Sequence, residues 1–413
     1  MRHLSFKSIF FVLFFLPQGL LAAEDAKAAA ADSAVVEELV VDSSVTVSLL
    51  TCSPGQETYE LYGHTAIRVV DSKHPTGVVY NYGAFDFHAP HFVWRFILGE
   101  CDYLLWAEPL ELFLIQYQLR GSSVQEQVLN LTPREATCLR DDLQTESRPE
   151  NRVYRYNIFR SNCTTRARDA IERCIHGCIE YPARPRRNTF RSILHQFTDN
   201  HRWSREGNDL LLGEEVDTLI DYRDEMFSPI YLMWYVDSAM VNNGRGVYRN
   251  LVRERRLLLP PDAARQQAAE AQQPHLPLSP AAAGWLLLAL GLCLAVFEAW
   301  RKHICWVADA LLMTMQGLAG ILLCFMAMFS VHPGVASNWQ VWVLNPLPLF
   351  FVFTVVRSDI RCQRSVYHSF AAAFLLAFII LYFFIPQHFS ELILPVALLL
   401  LSRAAVHLFV YRK

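Results

Sequence analysis

The chain has 413 residues, 53% of them hydrophobic, with 37 Lys and Arg against 40 Asp and Glu. That is too apolar for one ordinary soluble domain, and a net charge of −3 is too weak for a nucleic-acid binder. The apolar excess sits at the two ends.

The N-terminus, "MRHLSFKSIFFVLFFLPQGLLAAED", starts with Arg2, His3 and Lys7, runs apolar from Ile9 to Leu16 and ends in small residues. This is a signal-peptide pattern over 1–23, with cleavage near Ala23; the alternative is an uncleaved anchor. Either way the segment that follows, 24–260, is exported.

In that segment "AVVEELVVDSSVTVSLLT" (34–51) suggests a strand entering a domain. After a Pro-Gly turn, "HTAIRVV" and "TGVVYNYGAFDF" read as a β-hairpin. His64 opens its first strand, and Asn81 lies in the second, where the pairing can bring it near His64. Mixed helix and strand patterns follow to about Thr132. "TPREATCLRDDL" reads as a capped helix with Thr132 as cap, Pro133 first and Glu135 in the first turn. "VYRYNIF" (153–159) alternates like a strand, and "SN" breaks it.

From Cys163 the spacing turns helical: Ala167, Ala170, Ile171, Cys174 and Ile175 share a stripe, and Asn162 suits the N-cap. Cys163 therefore sits in a first helical turn, where backbone N–H groups and the helix dipole favour a thiolate and can also hold an oxyanion. Three readings of Cys163 stay open: half of a disulfide, a packed small residue or a nucleophile. A nucleophile needs a base, and His64, after Gly63 and on a strand, is the best placed exported histidine. Asn81 is the nearest group to orient it. Six cysteines lie in the exported part. Cys174 reads as a packed member of the stripe, and it could bridge to Cys178 only by distorting a helix. C-x3-C without a second ligand pair is a weak zinc signal. No metal or nucleotide motif stands out, so no cofactor is expected.

Residues 261–280, rich in Pro, Ala and Gln, read as a linker, partly helical. Beyond it come five apolar segments, roughly 281–300, 306–331, 339–357, 369–385 and 391–411, each long enough to span a membrane. "RKH" (301–303), "RSDIRCQR" (357–364) and "RK" (412–413) carry the positive charge; the two other loops carry no Lys or Arg. The positive-inside rule then puts 24–260 outside the cytoplasm and the C-terminus inside.

"YGHTAIRV" (62–69), "VYNYGAFDF" (79–87), "LNLTPRE" (129–135) and "SNCTTRARDAIE" (161–172), taken in order, resemble the exported domain of the Bacteroidetes-type lipoprotein N-acyltransferase family, Lnb. The five spans and "VHPGVASNWQVWVLNPLPL" (331–349) look similar too. The resemblance implies an α+β, permuted papain-like exported domain followed by an all-α membrane domain of five transmembrane helices, in a bacterial inner membrane with the catalytic domain periplasmic. It implies Cys163 as nucleophile and His64 as base; Asn81, Tyr80, Tyr82 or a residue elsewhere is the third member. The acyl donor would be a membrane phospholipid and the acceptor the α-amine of a lipid-modified lipoprotein cysteine. Arg166 could meet a phosphate headgroup or simply face solvent. His332, Asn338 and Asn345, in or beside the exported loop between spans two and three, could line a lipid site or simply sit at the interface. A membrane-anchored thiol hydrolase and a non-enzymatic envelope module are the rival readings.

Overall fold

The computed structural model describes residues 41–85, 90–273 and 276–411. The signal-peptide reading of 1–23 and the first part of the 34–51 strand lie outside the described residues. The exported domain is built on a seven-stranded antiparallel sheet. Its strands are β1 (Thr46–Cys52), β2 (His64–Val70), β3 (Val78–Ala84), β4 (Asp102–Pro109), β5 (Val124–Leu129), β6 (Val153–Arg155), and a long closing strand, Val252–Leu259. Spatial order runs from that closing strand through β5, β1, β2, β3 and β4 to β6. The hairpin forms as read, with Ile67 opposite Tyr80 and Val69 opposite Val78. "VYRYNIF" is a strand only over Val153–Arg155.

Helices cover both faces. The first six in chain order are α1 (Phe92–Leu98), α2 (Leu110–Arg120), α3 (Pro133–Glu146), α4 (Cys163–Cys174), α5 (Phe190–Thr198) and α6 (Arg202–Leu211). Strand alternation divides the core. Leu49, Ile67, Val69 and Tyr82 pack with Leu139, Leu143, Ala167 and Ile171 of α3 and α4. Leu50, Cys52, Ala66 and Val79 pack with Phe113 and Tyr117 of α2.

The start of α3 is the expected capping box: Thr132 Oγ1 accepts from Glu135 N–H, and Glu135 accepts from Thr132 N–H. Such caps contribute about 1 kcal/mol each. Cys174 is not merely packed. It forms a disulfide with Cys138, 36 residues away, and so ties α4 to α3, while Cys178 is free and exposed. Closing a loop of that length stabilises the fold by about 3–4 kcal/mol. Cys138→Ala should lower the free energy of unfolding by about that amount, read from denaturant curves, and reductant should reproduce the loss in the unaltered protein. A variant as stable as the parent would mean the bond is not formed.

The linker is docked as well as helical. Ala263–Gln272 is a helix lying along α2, with Arg265 and Gln266 donating to the Gln118 and Gly121 carbonyls.

The membrane part has five helices: Pro280–Arg301, Trp306–Phe329, Leu347–Ile360, Val366–Leu381 and Ile393–Val410. Four are long and apolar enough to cross a membrane when the third is counted from Trp339, and the fourth helix is shorter. The third span is broken: a 3₁₀ turn, Trp339–Trp342, precedes the helix that starts at Leu347. Pro346 explains the break, because a proline disfavours helical backbone at the preceding Asn345.

The two parts meet at the end of α6. The last carbonyls of any helix lack partners within it. Here Gln340 donates to the Asp209 and Leu210 carbonyls, Asn338 to Leu210 and Leu211, and Gln387 to Leu212. Backbone bonds from Gly213 to Gly334 and from Glu214 to Ser337 extend the seam.

Candidate active site

His64 is held by its backbone. Gly63 before it takes φ 73°, and a Cβ there would fall 2.8 Å from the Cys52 carbonyl oxygen, so glycine lets the chain turn tightly into β2. Cys52 and His64 are cross-strand partners. The imidazole reaches across the hairpin, with Nε2 2.5 Å from Asn81 Oδ1. Asn81 can only accept through that oxygen, so Nε2 carries the proton and Nδ1 is left with its lone pair. Burial pushes Glu108 up; the Asn81 side chain lies near enough to hold it down in part, and Glu108 accepts from Gln116 Nε2 at 3.1 Å. A polar chain of His64, Asn81, Glu108 and Gln116 therefore fixes the ring.

Cys163 is the first residue of α4. Asn162, 5% exposed, is the cap: its Oδ1 accepts from Thr164 and Thr165 N–H at 2.9 Å, and Thr165 Oγ1 accepts from Asn162 N–H. Its amide donates to the Ile158 and Phe227 carbonyls, which anchors the helix start in the core. The cap occupies two first-turn donors, so the N–H of Cys163 itself is the one left to face a developing oxyanion. Gly83, φ 102°, lies between Cys163 and His64; a Cβ there would touch both Cys163 Cβ and His64 Cε1 at 3.6 Å.

The thiol lies near enough to the His64 imidazole and the Thr65 backbone N–H for both to favour its ionised form, with Thr164 Oγ1 at 3.6 Å. Burial pushes this thiol up, but the neighbouring imidazolium and these donors outweigh it and bring Cys163 down to about 7. The partner moves the other way: burial disfavours the imidazolium, yet the thiolate raises His64 overall. The two titrate as one pair. The thiolate exists above the lowered pKa, so alkylation of Cys163 by iodoacetamide should rise with pH around a midpoint of about 7. An ordinary thiol does so near about 8.5, and a midpoint there would contradict the pairing.

The structure thus brings Cys163, His64 and Asn81 together. Arg166, one turn into α4, stacks over the Tyr154 ring at 4.2 Å and bonds Ser161. Arg168 is buried, donating to the Arg223 carbonyl and Asp169. His332 Nε2 donates to the Phe96 carbonyl of α1 at 2.6 Å, and its ring packs on Phe96. Asn338 is 2% exposed and spends its side chain on α6 carbonyls, Gln340 N–H and Gln387. Asn345 accepts from Leu347 N–H at the start of the third membrane helix and donates to the Trp342 carbonyl. These last two lie at the seam and in the bundle, not beside Cys163.

Sequence reasoning missed Glu108, Gln116 and the Thr65–Thr164 pair. Alternation along β4 puts Glu108 on the face opposite buried Leu105, together with exposed Trp106, so the strand pattern does not mark the first.

Residues 35–196 match the family model described as the Lnb N-terminal periplasmic domain, and 271–413 match the one described as the Lnb transmembrane domain. Together the matched stretches cover most of the chain. No curated protein and no solved structure matches it.

Proposed function

The chain belongs to the Lnb family, membrane proteins with a periplasmic N-terminal domain and a lipoprotein N-acyltransferase-like role, and from that premise we propose how this one moves an acyl chain. The domain works as a permuted papain-like thiol transferase, with Cys163 as nucleophile, His64 as base and Asn81 as the group that orients it. The Cys163 thiolate attacks an ester carbonyl of a membrane phospholipid. The carbon–oxygen bond breaks, and the departing lysophospholipid takes its proton from the His64 imidazolium. The acyl group is now a thioester. The α-amine of a lipid-modified lipoprotein cysteine attacks it, the carbon–sulfur bond breaks, and His64 receives the amine proton. Thiolate and imidazolium are restored, so the cycle needs no cofactor.

What supports a lipid donor is one run of aromatic rings leading away from the nucleophile. Tyr156 lies close enough to Cys163 that, after burial, the thiolate is the next influence pushing its phenol up. It stacks on Tyr103 at 4.1 Å, Tyr103 on Phe85 at 5.0 Å, Phe85 on Phe92 at 6.4 Å, and Phe92 on Phe96 at 6.2 Å. Phe96 meets His332, and its neighbour Trp94 packs on Phe325 of the second membrane helix. An apolar shelf from thiol to bilayer suits an acyl chain entering from the membrane. Because both substrates are bilayer-anchored, a domain fixed to its own membrane helices meets them at high effective concentration.

The test uses the full-length protein in lipid nanodiscs whose phospholipid carries one deuterated acyl chain. Intact mass should rise by one labelled acyl group, lost on adding a diacylated lipopeptide and recovered as its amide. Release of labelled fatty acid at the same rate with or without lipopeptide would favour the hydrolase.

A further inference from the structure

The membrane helices bury a charged cluster at the end opposite the exported domain. Glu298, Asp309, Asp359, His368, Arg403 and His407 come from all five helices, and each is no more than 4% exposed. Ionisable groups at such depth are costly and mark function by default. Arg403 is fully engaged: it makes two bonds to Glu298 at 2.6 and 2.9 Å and two to Asp309 at 2.7 and 2.8 Å. The rest of the cluster is only partly satisfied, by the contact of His407 Nε2 with Asp309. Both Asp359 oxygens, His368 Nε2 and His407 Nδ1 are buried without a hydrogen-bond partner. Three carboxylates face one guanidinium, an excess of two negative charges while both imidazoles are neutral.

We propose that Asp359, His368 and His407 bind a divalent transition-metal cation of the zinc type. Their ligand atoms all lie within 4.8 Å of one another. His407 Nδ1 and Asp359 Oδ1 are 3.2 Å apart, close to the roughly 3.3 Å that separates two ligands about 2 Å from a tetrahedral ion. Asp309 accepts from His407 Nε2 at 2.9 Å; in the neutral ring this leaves Nδ1 as a lone pair facing Asp359, the carboxylate–histidine–metal arrangement. Two imidazoles and a carboxylate favour a zinc-like ion over magnesium or calcium. A divalent ion also cancels the two excess charges.

One movement is required. The His368 and His407 rings stack at 3.7 Å, inclined by 20°, so an ion in the plane of one lies outside the plane of the other. His368 must turn out of the stack to present Nε2. It lines a cavity of about 410 Å³ between the second, third, fourth and fifth helices, which gives the ring room. The open coordination position then faces that cavity.

The test takes full-length protein purified in detergent through a histidine-free tag, without chelators. Elemental analysis should find about one equivalent of metal. After chelation, added Co²⁺ should give the visible absorption of a four-coordinate nitrogen–oxygen site. His368→Gln, at a ring nitrogen that holds no hydrogen bond, should weaken Co²⁺ binding at least tenfold without changing the elution profile, and Asp359→Asn should do the same. Wild-type protein that is metal-free and takes up no Co²⁺ would overturn the proposal and leave the charge balanced by protonated imidazoles. So would binding indifferent to His368→Gln, or a thiolate charge-transfer band from the cysteines.

Discussion

Cys163→Ala is expected to remove the acyl-enzyme and lower lipoprotein N-acylation by at least about a thousandfold, since the residues of such a unit fail together. The protein should stay folded. The start of α4 is held by the Asn162 cap, its bonds to Ile158 and Phe227, and the Cys138–Cys174 bridge, none of which uses the Cys163 sulfur. Near-ultraviolet circular dichroism and elution volume check the fold; intact mass after incubation with labelled phospholipid checks the adduct. A Cys163→Ala protein that still carries the acyl label would show that another residue is the nucleophile. A variant that unfolds would instead give the sulfur a structural role.

The second large effect is expected at His64, the proposed base. His64→Ala takes away the imidazolium that contributes most to lowering the thiol, along with the proton carrier for both half-reactions. The loss of activity should be about a hundred- to ten-thousandfold. The same substitution should return the Cys163 thiol to about 8.5 or above, because burial then acts unopposed by the imidazolium. Alkylation at pH 7 should slow by about tenfold or more. This second reading separates catalysis from folding: a merely structural histidine would not move the alkylation midpoint. Unchanged alkylation in a folded His64→Ala protein would contradict the pairing.

Features fixed by neighbours in the chain are legible in the sequence. The hairpin follows from two alternating apolar runs around a short turn, and it alone places Asn81 across from His64. The helix start at Cys163 follows from Asn162 and the switch of period, and the capping box from Thr132, Pro133 and Glu135. What escapes such reading depends on distant segments. Nothing near Cys174 signals that its partner is Cys138 on another helix rather than Cys178. Glu108 and Gln116 join the site only because β4 pairs with β3 and α2 folds back beneath them. Asn338 lies in a loop that looks interfacial by composition, yet it closes the end of α6, a helix more than a hundred residues upstream. The charged cluster is hidden for the same reason: its members are single polar residues, one or two per helix, and only packing of the helices collects them.

On the proposed route the acyl chain passes through Cys163 to a lipoprotein amine. Mass spectrometry of lipoprotein N-terminal peptides tests it most directly, in cells whose only copy of this protein is wild type or Cys163→Ala. N-acylated cysteine is expected with the first and a free α-amine on the diacylated cysteine with the second. N-acylation that persists at the same level in the Cys163→Ala cells would contradict it.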